Sequence, residues 1–243
     1  MRLTQKTLLI TGGNSGIGFA LVKLLCVENR IIVISRSENN WPQLKRLDSQ
    51  IITLRCDLSN YDAVVQLCQQ LQSEFPEIDV LINGAAVQFT PTFIDKDFSF
   101  EGIQQEITTN FTAVAWLSHQ LLSQLLQRNE ASIVNISSGL AIYPKTHSAI
   151  YCASKAALHS FSQSLRYQLE DTEIRVIEVL MPLVDTPMTE GRGNRKISAK
   201  QAASAIIAAI QGRSDEVYIG KARVLPILSR LWPGLIKNIL KRD

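Results

Sequence analysis

Metal-binding and redox cysteine patterns are missing from this 243-residue sequence. It has four cysteines, none in a CxxC pair, and they lack the histidine or aspartate company that a metal site requires. We therefore expect no metal site. We expect Cys26, Cys56, Cys68 and Cys152 to be reduced and mostly buried.

Long apolar runs and basic clusters are missing as well. The first apolar run, 7–10, enters a glycine turn directly, which leaves no room for a signal-peptide core or a membrane-spanning helix. A cytoplasmic location is therefore expected. The net charge is only +3, and the Lys and Arg residues are not gathered into the runs typical of nucleic-acid-binding proteins. Nucleic acid is not an expected partner.

What the sequence does contain is a regular alternation of short apolar runs and helical patterns. Continuous apolar runs suit strands that are buried on both faces of a parallel sheet. Alternating strands and helices predict a doubly wound sheet with helices on both faces. We expect one α/β domain with a Rossmann-like fold over residues 1–220. The strands are predicted at 7–10, 31–35, 51–54, 79–82, 131–136 and 174–180, and the helices at about 16–27, 60–74, 100–128, 149–170 and 198–211.

Two segments depart from this alternation. Residues 185–197 combine Pro, Gly and charge without apolar periodicity, which predicts a mobile loop able to cover a ligand. Residues 221–243 form a tail that mixes six Lys and Arg residues with apolar ones. Such a tail can dock on a membrane surface. We favour packing against its own domain or against a second subunit.

A glycine-rich turn, TGGNSGIG, follows the first predicted strand at 11–18. Its glycines permit a tight turn, a close approach of backbone to a pyrophosphate, and close packing of the next helix. Amides at the helix start would face the phosphates. Glycine turns also occur without a ligand, but this position between strand and helix favours dinucleotide binding. The predicted contacts are Gly12, Asn14, Ser15, Gly16, Ile17 and Gly18.

Arg36 bears on which dinucleotide is bound. It follows the second predicted strand, where an NAD site places an acidic residue for the ribose 2′-hydroxyl. A 2′-phosphate requires a cation there instead, so Arg36 favours NADP(H) over NAD(H). An arginine at a strand end can also be merely solvated.

Tyr151 and Lys155 lie four residues apart, which places them on one face of a predicted helix. A tyrosine, whose ordinary pKa is about 10, is a poor base near neutrality unless a nearby cation favours the phenolate. Lys155 can supply that charge. The YxxxK spacing alone is a weak pattern. It becomes strong together with the glycine turn and Ser138, thirteen residues upstream.

These motifs together resemble the short-chain dehydrogenase/reductase family, whose cofactor loop is TGxxxGIG, over residues 5 to about 220. The resemblance implies an oxidoreductase that moves hydride between nicotinamide and a carbonyl or alcohol. It implies that Ser138, rather than Ser137, binds the substrate oxygen, and that Tyr151 is the general acid and base. Lys155 would hold the nicotinamide ribose. Asn110 would support a proton-relay water, although its amide could instead be satisfied by a neighbouring helix.

Further cofactor contacts follow from the same resemblance. Asp57 and Leu58 match the segment that contacts adenine, with Asp57 accepting from the adenine amino group. Asn83 and Ala85 match two positions of the family's NNAG segment.

The family's PGxxxT segment, which contacts the nicotinamide carboxamide, is altered here. Met181 replaces its proline, and Pro182 replaces its glycine. Proline has no amide hydrogen and a fixed φ, so the local backbone must differ. Val184 and Thr186 remain the expected carboxamide contacts.

The substrate pocket is expected among the loops, and the substrate is expected to be a small carbonyl or alcohol. Two histidines, His119 and His159, fall on predicted helices and are interpreted as packing or surface residues. Expected pocket residues are Val87, Phe89, Leu140, Tyr143, His147 and Met188.

The resemblance also implies a homodimer or homotetramer built on helices 100–128 and 149–170.

Several strings, among them CDLS and YCASKAALHSFSQSLRYQL, resemble a bacterial branch of the family that is encoded with the genes for D-alanylation of lipoteichoic acid. That likeness implies an NADP-type reductase fold but no defined substrate. Two other functions stay open. One is an NADP-binding sensor or scaffold without turnover, against which the intact Ser-Tyr-Lys set argues. The other is a membrane-surface reductase of a lipid-like carbonyl, anchored by the tail.

Overall fold

The structure, a computed structural model, describes residues 1–241 except for the side chains at 229, 235 and 239. Its strands are β1 (Thr7–Thr11), β2 (Arg30–Ser35), β3 (Ile52–Arg55), β4 (Val80–Asn83), β5 (Ala131–Ser138), β6 (Ile174–Met181), β7 (Val184–Asp185), β8 (Ile197–Ser198) and β9 (Glu216–Tyr218). Seven of them form one parallel sheet in the order β3-β2-β1-β4-β5-β6-β9, and β7 pairs with β8 separately. The predicted parallel sheet is confirmed.

Helices cover both faces of this sheet. They are α1 (Gly16–Leu25), α2 (Trp41–Leu47), α3 (Tyr61–Glu74), α4 (Phe100–Ile107), α5 (Ala113–Gln120), α6 (Leu122–Leu125), α7 (Ala149–Gln168), α8 (Ala199–Gln211), α9 (Leu225–Leu231) and α10 (Pro233–Leu240). One apolar core joins α1, α2 and α8 to the sheet, and the other joins α3, α5 and α7 to the opposite face. The single doubly wound α/β domain is therefore confirmed.

The strand order places the candidate site. Both β2 and β4 pair with β1, so the chain reverses its direction of progress across the sheet at β1. Ligands of open α/β sheets bind outside the carboxyl ends of the strands at such a reversal. The Thr11 hydroxyl, at the end of β1, accepts hydrogen bonds from the amides of Gly84 (3.0 Å) and Ala85 (3.1 Å). It thereby holds the segment after β4 against the glycine turn.

The predicted helix over 100–128 is interrupted. Residues Thr108–Thr112 form one π-helical turn between α4 and α5, and a further break separates α5 from α6. Among the elements that were not predicted are β9 and α2. The strand β9 is short and carries Glu216 and Tyr218, so it has no continuous apolar run. Within α2 only Leu44 is buried, which leaves no helical stripe to recognise.

The two irregular segments are both tied to the domain. The loop 185–197 begins and ends in the β7–β8 pair, and Lys196 makes a 3.5 Å salt bridge to Asp185. The tail forms α9 and α10, and two of its carbonyl groups accept hydrogen bonds from the rest of the domain. Tyr143 Oη donates to Pro233 O (2.7 Å), and Thr146 Oγ1 donates to Lys241 O (2.8 Å). The last two residues of the predicted tail lie outside the described residues.

Within residues 1–241, no helix is both long enough and apolar enough to cross a membrane.

Candidate active site

A cavity of about 1120 Å³ lies at the carboxyl ends of the sheet strands and is bounded by the glycine turn, the 185–197 loop and the tail. It brings together most of the residues that the sequence singled out. The predicted residues that line it are Gly12, Asn14, Ser15, Gly16, Ile17, Gly18, Arg36, Asp57, Leu58, Ala85, Val87, Ser138, Leu140, Tyr143, His147, Tyr151, Lys155, Val184, Thr186 and Met188. Asn83 and Asn110 do not line it, and Phe89 borders a separate, much smaller pocket instead.

The glycine turn leaves no room for side chains. Gly12 has a φ of +72°, in the left-handed region that favours glycine, and a Cβ on Gly18 would lie 2.2 Å from Gly12 O. Ser15 precedes α1 in an extended conformation, and its side chain makes no capping hydrogen bond. The first amides of α1 therefore have no side-chain cap and can receive an anion, which the helix dipole favours.

A small hydrogen-bond network holds the end of β2 beside the glycine turn. Asn14 Nδ2 donates to Ser37 O (2.8 Å), and Asn40 Nδ2 donates to Asn14 O (2.9 Å). Between these residues Arg36 is exposed and lines the cavity. Its guanidinium has no salt-bridge or hydrogen-bond partner within residues 1–241, so its charge is available to a ligand. Asn40 was not predicted, because it stands in a polar loop outside any motif.

Asp57 and Asn83 differ in where their side chains are used. Asp57 Oδ1 accepts from the amide (3.0 Å) and the hydroxyl (2.7 Å) of Ser59, which fixes the carboxylate at the cavity wall. Asn83 Nδ2 donates instead to Asn135 Oδ1 (2.9 Å), and Asn135 Nδ2 donates to Ser162 Oγ (2.9 Å). Asn83 therefore joins β4 to β5 and α7. Its side chain is buried and does not line the cavity, and its contact with the cofactor stays a prediction.

Ser138, Tyr151 and Lys155 converge on the cavity. Ser138 ends β5, and the other two lie one turn apart in the first half of α7. The Ser138 hydroxyl lies close enough to the Tyr151 phenol to act on its pKa, and Lys155 Nζ lies 5.7 Å from the centroid of the Tyr151 ring. Lys155 is only 3% exposed, and its Nζ donates to Ile136 O (2.9 Å). The spacing in sequence thus corresponds to contact in space.

Burial sets the protonation of this group in the free protein. It raises the pKa of Tyr151 to about 12, against which the Ser138 hydrogen bond acts. It lowers the pKa of Lys155 to about 8, and the nearby Glu178 carboxylate opposes that shift. At neutral pH the phenol therefore carries its proton, and the lysine is mostly a cation.

Asn110 lies beneath the cavity rather than in its wall. It sits in the π-helical turn and is 0% exposed. Its Oδ1 accepts from Val87 N (2.8 Å), and its Nδ2 donates to Val87 O (2.9 Å) and to Ser154 Oγ (3.1 Å). The amide thus fixes the segment after β4 against α7. Its contact on α7 is Ser154, the residue directly before Lys155. Both of its polar atoms are satisfied by these partners.

A charged group beside Tyr151 was not predicted. Arg192 Nη1 donates to Gln88 Oε1 (2.7 Å), and its charge acts to lower the pKa of Tyr151. Glu106 is 2% exposed and accepts from Phe89 N (2.7 Å), and burial raises its pKa. Residue spacing does not connect an arginine in an irregular loop to a tyrosine on a distant helix. No sequence signal could therefore have found this arrangement.

The opposite wall of the cavity is apolar. Pro182, after the end of β6, lines the cavity together with Leu183, so the altered segment remains part of the site. The tail contributes Leu225 and Leu240 to the same wall. These two leucines were not predicted, because the tail was treated as lying outside the site.

His159 takes part in a partly buried polar cluster with Glu178 and Glu216. Its Nδ1 lies 2.7 Å from Glu178 Oε2, and this hydrogen bond raises the pKa of the imidazole. Ligand atoms of His159, Glu178 and Glu216 lie within 4.8 Å of one another, and Tyr218 Oη donates to Glu216 Oε1 (2.6 Å). The histidine was interpreted as a packing or surface residue. It is in fact an ion-pair partner of the carboxylate that acts on Lys155.

A doubly wound sheet with a glycine turn at its reversal and a Ser-Tyr-Lys group in the adjoining cavity defines a nicotinamide-dependent oxidoreductase. The family model for short chain dehydrogenase matches residues 6–196. The chain belongs to the short-chain dehydrogenase/reductase family and is an NAD(P)-dependent enzyme of that family.

Its relatives extend over most of the chain. It is 38% identical over 220 residues to the uncharacterized oxidoreductase DltE of Bacillus subtilis (strain 168), covering 90% of this chain and 83% of that one. It is 32% identical over 196 residues to an NADP-dependent 3-hydroxy acid dehydrogenase of Schizosaccharomyces pombe, covering 76% and 74%. A short chain dehydrogenase from Burkholderia cenocepacia J2315, solved in complex with NADP, has the same fold, with a TM-score of 0.87 at 24% identity and 99% coverage of both chains.

Proposed function

We propose that this enzyme is NADP(H)-dependent and interconverts a carbonyl and an alcohol, with Tyr151 as the general acid and base. The observation that carries the proposal is the convergence of Ser138, Tyr151 and Lys155 in the cavity wall, with Lys155 Nζ 5.7 Å from the centroid of the phenol ring.

The residues at the strand ends fit a dinucleotide. The glycine turn forms a cradle that a Cβ at Gly18 would fill, and the uncapped start of α1 suits a pyrophosphate. Asp57 would accept from the adenine amino group, and Lys155 would hold the nicotinamide ribose. Val184 and Thr186 line the cavity where the carboxamide contact is expected. When bound, the dinucleotide supplies or receives the hydride.

Arg36 supports a preference for NADP(H). Its unpaired guanidinium stands at the end of β2, where an NAD site requires a carboxylate. A guanidinium binds a phosphate with strong, charge-assisted hydrogen bonds. The relative from Schizosaccharomyces pombe, which is named NADP-dependent, supports the same preference.

Proton transfer follows from the protonation of the site. In reduction, charge develops on the carbonyl oxygen, where Ser138 donates a hydrogen bond and Tyr151 donates its proton. In oxidation, the Tyr151 phenolate removes the proton of the alcohol. The Lys155 ammonium favours that phenolate electrostatically. Asn110 acts as a positioning residue, because it fixes the segment at Val87 against α7.

A carbonyl screen tests this proposal. NADPH oxidation is followed with the wild-type protein and with Tyr151→Phe, while NADPH binding is measured in parallel. We expect turnover by the wild type only, with equal NADPH binding by both proteins. Equal turnover by the variant would exclude Tyr151 as the proton donor. Binding of NADPH without turnover of any carbonyl would instead favour a sensor or scaffold.

A second candidate is a membrane-surface reductase of a lipid-like carbonyl. The tail exposes Ile227 (60%), Leu231 (59%) and Trp232 (57%) close to the basic residues Arg230 and Lys237. Exposed apolar side chains beside cations suit an anionic lipid surface. Co-sedimentation of the full chain with anionic vesicles, compared with Trp232→Asp, tests it. Equal sedimentation of the two proteins would remove this candidate.

We also propose that the chain forms a homodimer or a homotetramer. A homodimer or homotetramer built on α4, α5 and α7 would cover aromatic side chains that are exposed in the single chain, namely Phe100 (74%) and Tyr167 (64%). Sedimentation equilibrium of the wild type and of Tyr167→Asp would measure the association.

A cytoplasmic location is proposed from the cysteines. All four thiols are free and buried, and burial raises the pKa of Cys56 and Cys68 to about 11. Unpaired thiols of this kind are typical of reducing compartments. Cell fractionation with a tagged full-length chain tests the location.

A further inference from the structure

The cavity is far more basic than the chain as a whole. The chain has 25 Lys and Arg against 22 Asp and Glu, whereas the only acidic residue in the described lining of the cavity is Asp57. The charge asymmetry is therefore local to the site. The basic lining residues are Arg36, Lys145, Lys155, Arg192, Arg195 and Lys221.

The dinucleotide accounts for only part of this charge. Arg36 and Lys155 are assigned to the cofactor above. Lys145, Arg192 and Arg195 lie on loops, Lys221 lies in the segment Gly220–Val224, and none of the four is among the residues assigned to the cofactor. None of these four residues forms a salt bridge with any part of the chain from 1 to 241. An anionic ligand can therefore approach them without displacing an existing ion pair.

Arg192 is the member of this set whose charge acts on Tyr151. Both residues line the cavity, and the Arg192 guanidinium is held there by a hydrogen bond to Gln88. Gln88 fixes it by accepting from Nη1 (2.7 Å) and, at a longer distance, from Nη2 (3.5 Å). A guanidinium has five N–H donors, so others remain free for a ligand. A planar fork of this kind matches a carboxylate.

The surrounding residues also favour a carboxylate on an apolar compound. Val87, Leu140 and Met188 line the same cavity and can contact a short carbon chain. Glu106, a carboxylate on which the Arg192 charge acts, lies outside the described lining of the cavity and accepts from Phe89 N. It therefore does not occupy the position of a ligand carboxylate.

We propose that the substrate is an oxo acid, or the corresponding hydroxy acid, whose carboxylate binds Arg192 while its carbonyl oxygen lies at Ser138 and Tyr151. This assignment rests on the proposed function. Arg192, Ser138 and Tyr151 line one cavity, so a single small molecule can contact all three residues.

Substrate charge is the variable to test. NADPH oxidation is measured at pH 7 with 2-, 3- and 5-oxohexanoate and with the methyl ester of each. We expect at least one acid to exceed its ester in kcat/KM by about ten- to a hundredfold, the usual effect of hydrogen bonds to a charged group. Arg192→Gln should abolish that ratio, because the acid should lose far more kcat/KM than its ester does. Arg192→Lys, which keeps the charge without the fork, should retain part of it.

A matched control removes an arginine elsewhere. Arg46 is exposed on α2 and does not line the cavity, so Arg46→Gln should keep the full ratio. Equal kcat/KM for every acid and its ester, or a ratio that survives Arg192→Gln, would overturn the proposal.

Ligand binding decides the question independently of turnover. Calorimetry compares hexanoate with hexanamide on the free protein and on the protein saturated with NADP⁺. We expect tighter binding of hexanoate, and no difference in Arg192→Gln. Equal binding by the wild type would overturn the carboxylate site. If NADPH does not bind while hexanoate is still preferred, the carboxylate site is supported and the proposed function fails.

Discussion

The two halves of the cavity are built in different ways. The cofactor half consists of strand ends and the glycine turn, whose positions are fixed by the parallel sheet and by short hydrogen bonds such as those of Thr11 to Gly84 and Ala85. The substrate half consists of loops and the tail, which are joined by single side-chain contacts such as Arg192 to Gln88 and Tyr143 to Pro233. We therefore expect the cofactor half to carry the chemistry common to the family and the substrate half to select the substrate.

Lys155→Met in the cofactor half should cause the largest loss of activity. The variant removes the cation that favours the phenolate and the donor proposed for the nicotinamide ribose. We expect kcat/KM to fall by about a hundred- to ten-thousandfold, the range of general acid–base catalysis, with weaker NADPH binding. Steady-state kinetics and nicotinamide fluorescence measure the two effects. Activity within threefold of the wild type would exclude the proposed role of Lys155.

Gly18→Ala tests the cradle itself. The new Cβ would lie 2.2 Å from Gly12 O, so the turn must shift. We expect loss of NADPH binding and a decrease in the free energy of unfolding of about 1–3 kcal/mol, as for other overpacked sites. Thermal unfolding with and without NADPH measures both. Gly234→Ala is the control, because nothing lies within 4 Å of its added Cβ; unchanged binding by Gly18→Ala would contradict the assigned cradle.

The pH dependence of the oxidation rate tests the role of Tyr151 as the general base. Oxidation needs the phenolate, and the pKa of Tyr151 is raised to about 12, so the oxidation rate should rise with pH by up to about tenfold per unit. Above about pH 8, Lys155 loses its charge and the rise should flatten. Reduction uses the protonated phenol and should not increase over this range.

Glu178→Gln provides the matched variant for this profile. Glu178 acts to raise the pKa of Lys155, so removing its charge should move the flattening to lower pH. Glu170→Gln, at an exposed position after α7, should leave the profile unchanged. Identical profiles for wild type and Glu178→Gln would show that the polar cluster does not act on Lys155.

The smallest effect is expected in the substrate half. Tyr143→Phe removes the hydrogen bond to Pro233 O, which is worth about 0.5–1.5 kcal/mol in a typical protein. We expect KM for the carbonyl to change by about tenfold or less, with NADPH binding unchanged. Loss of NADPH binding by this variant would contradict the separation of the two halves.

The cofactor half could be predicted from the sequence because its motif residues occur at fixed spacings. The glycine turn, Ser138, Tyr151 and Lys155 all lie on the cavity, as their motifs required. Spacing does not determine where an amide points, and Asn83 and Asn110 bind other parts of the fold instead of the cavity.

The substrate half could not be predicted to the same depth. Arg192, Gln88 and Leu240 meet at the cavity only through tertiary contacts between loops and tail, which no periodic pattern records. The π-helical turn at Thr108–Thr112 was hidden for a similar reason, since its residues continue the helical pattern around them. The strand β9 carries too few apolar residues to be recognised.

We propose that the cofactor half of the cavity binds NADP(H) through Arg36 and the glycine turn. The most direct measurement is the titration of NADPH and NADH fluorescence with the wild-type protein and with Arg36→Asp. We predict tighter binding of NADPH by the wild type and a lost or inverted preference in the variant. Binding of neither nucleotide would mean that the glycine turn is purely structural, and the account would fail at its first step.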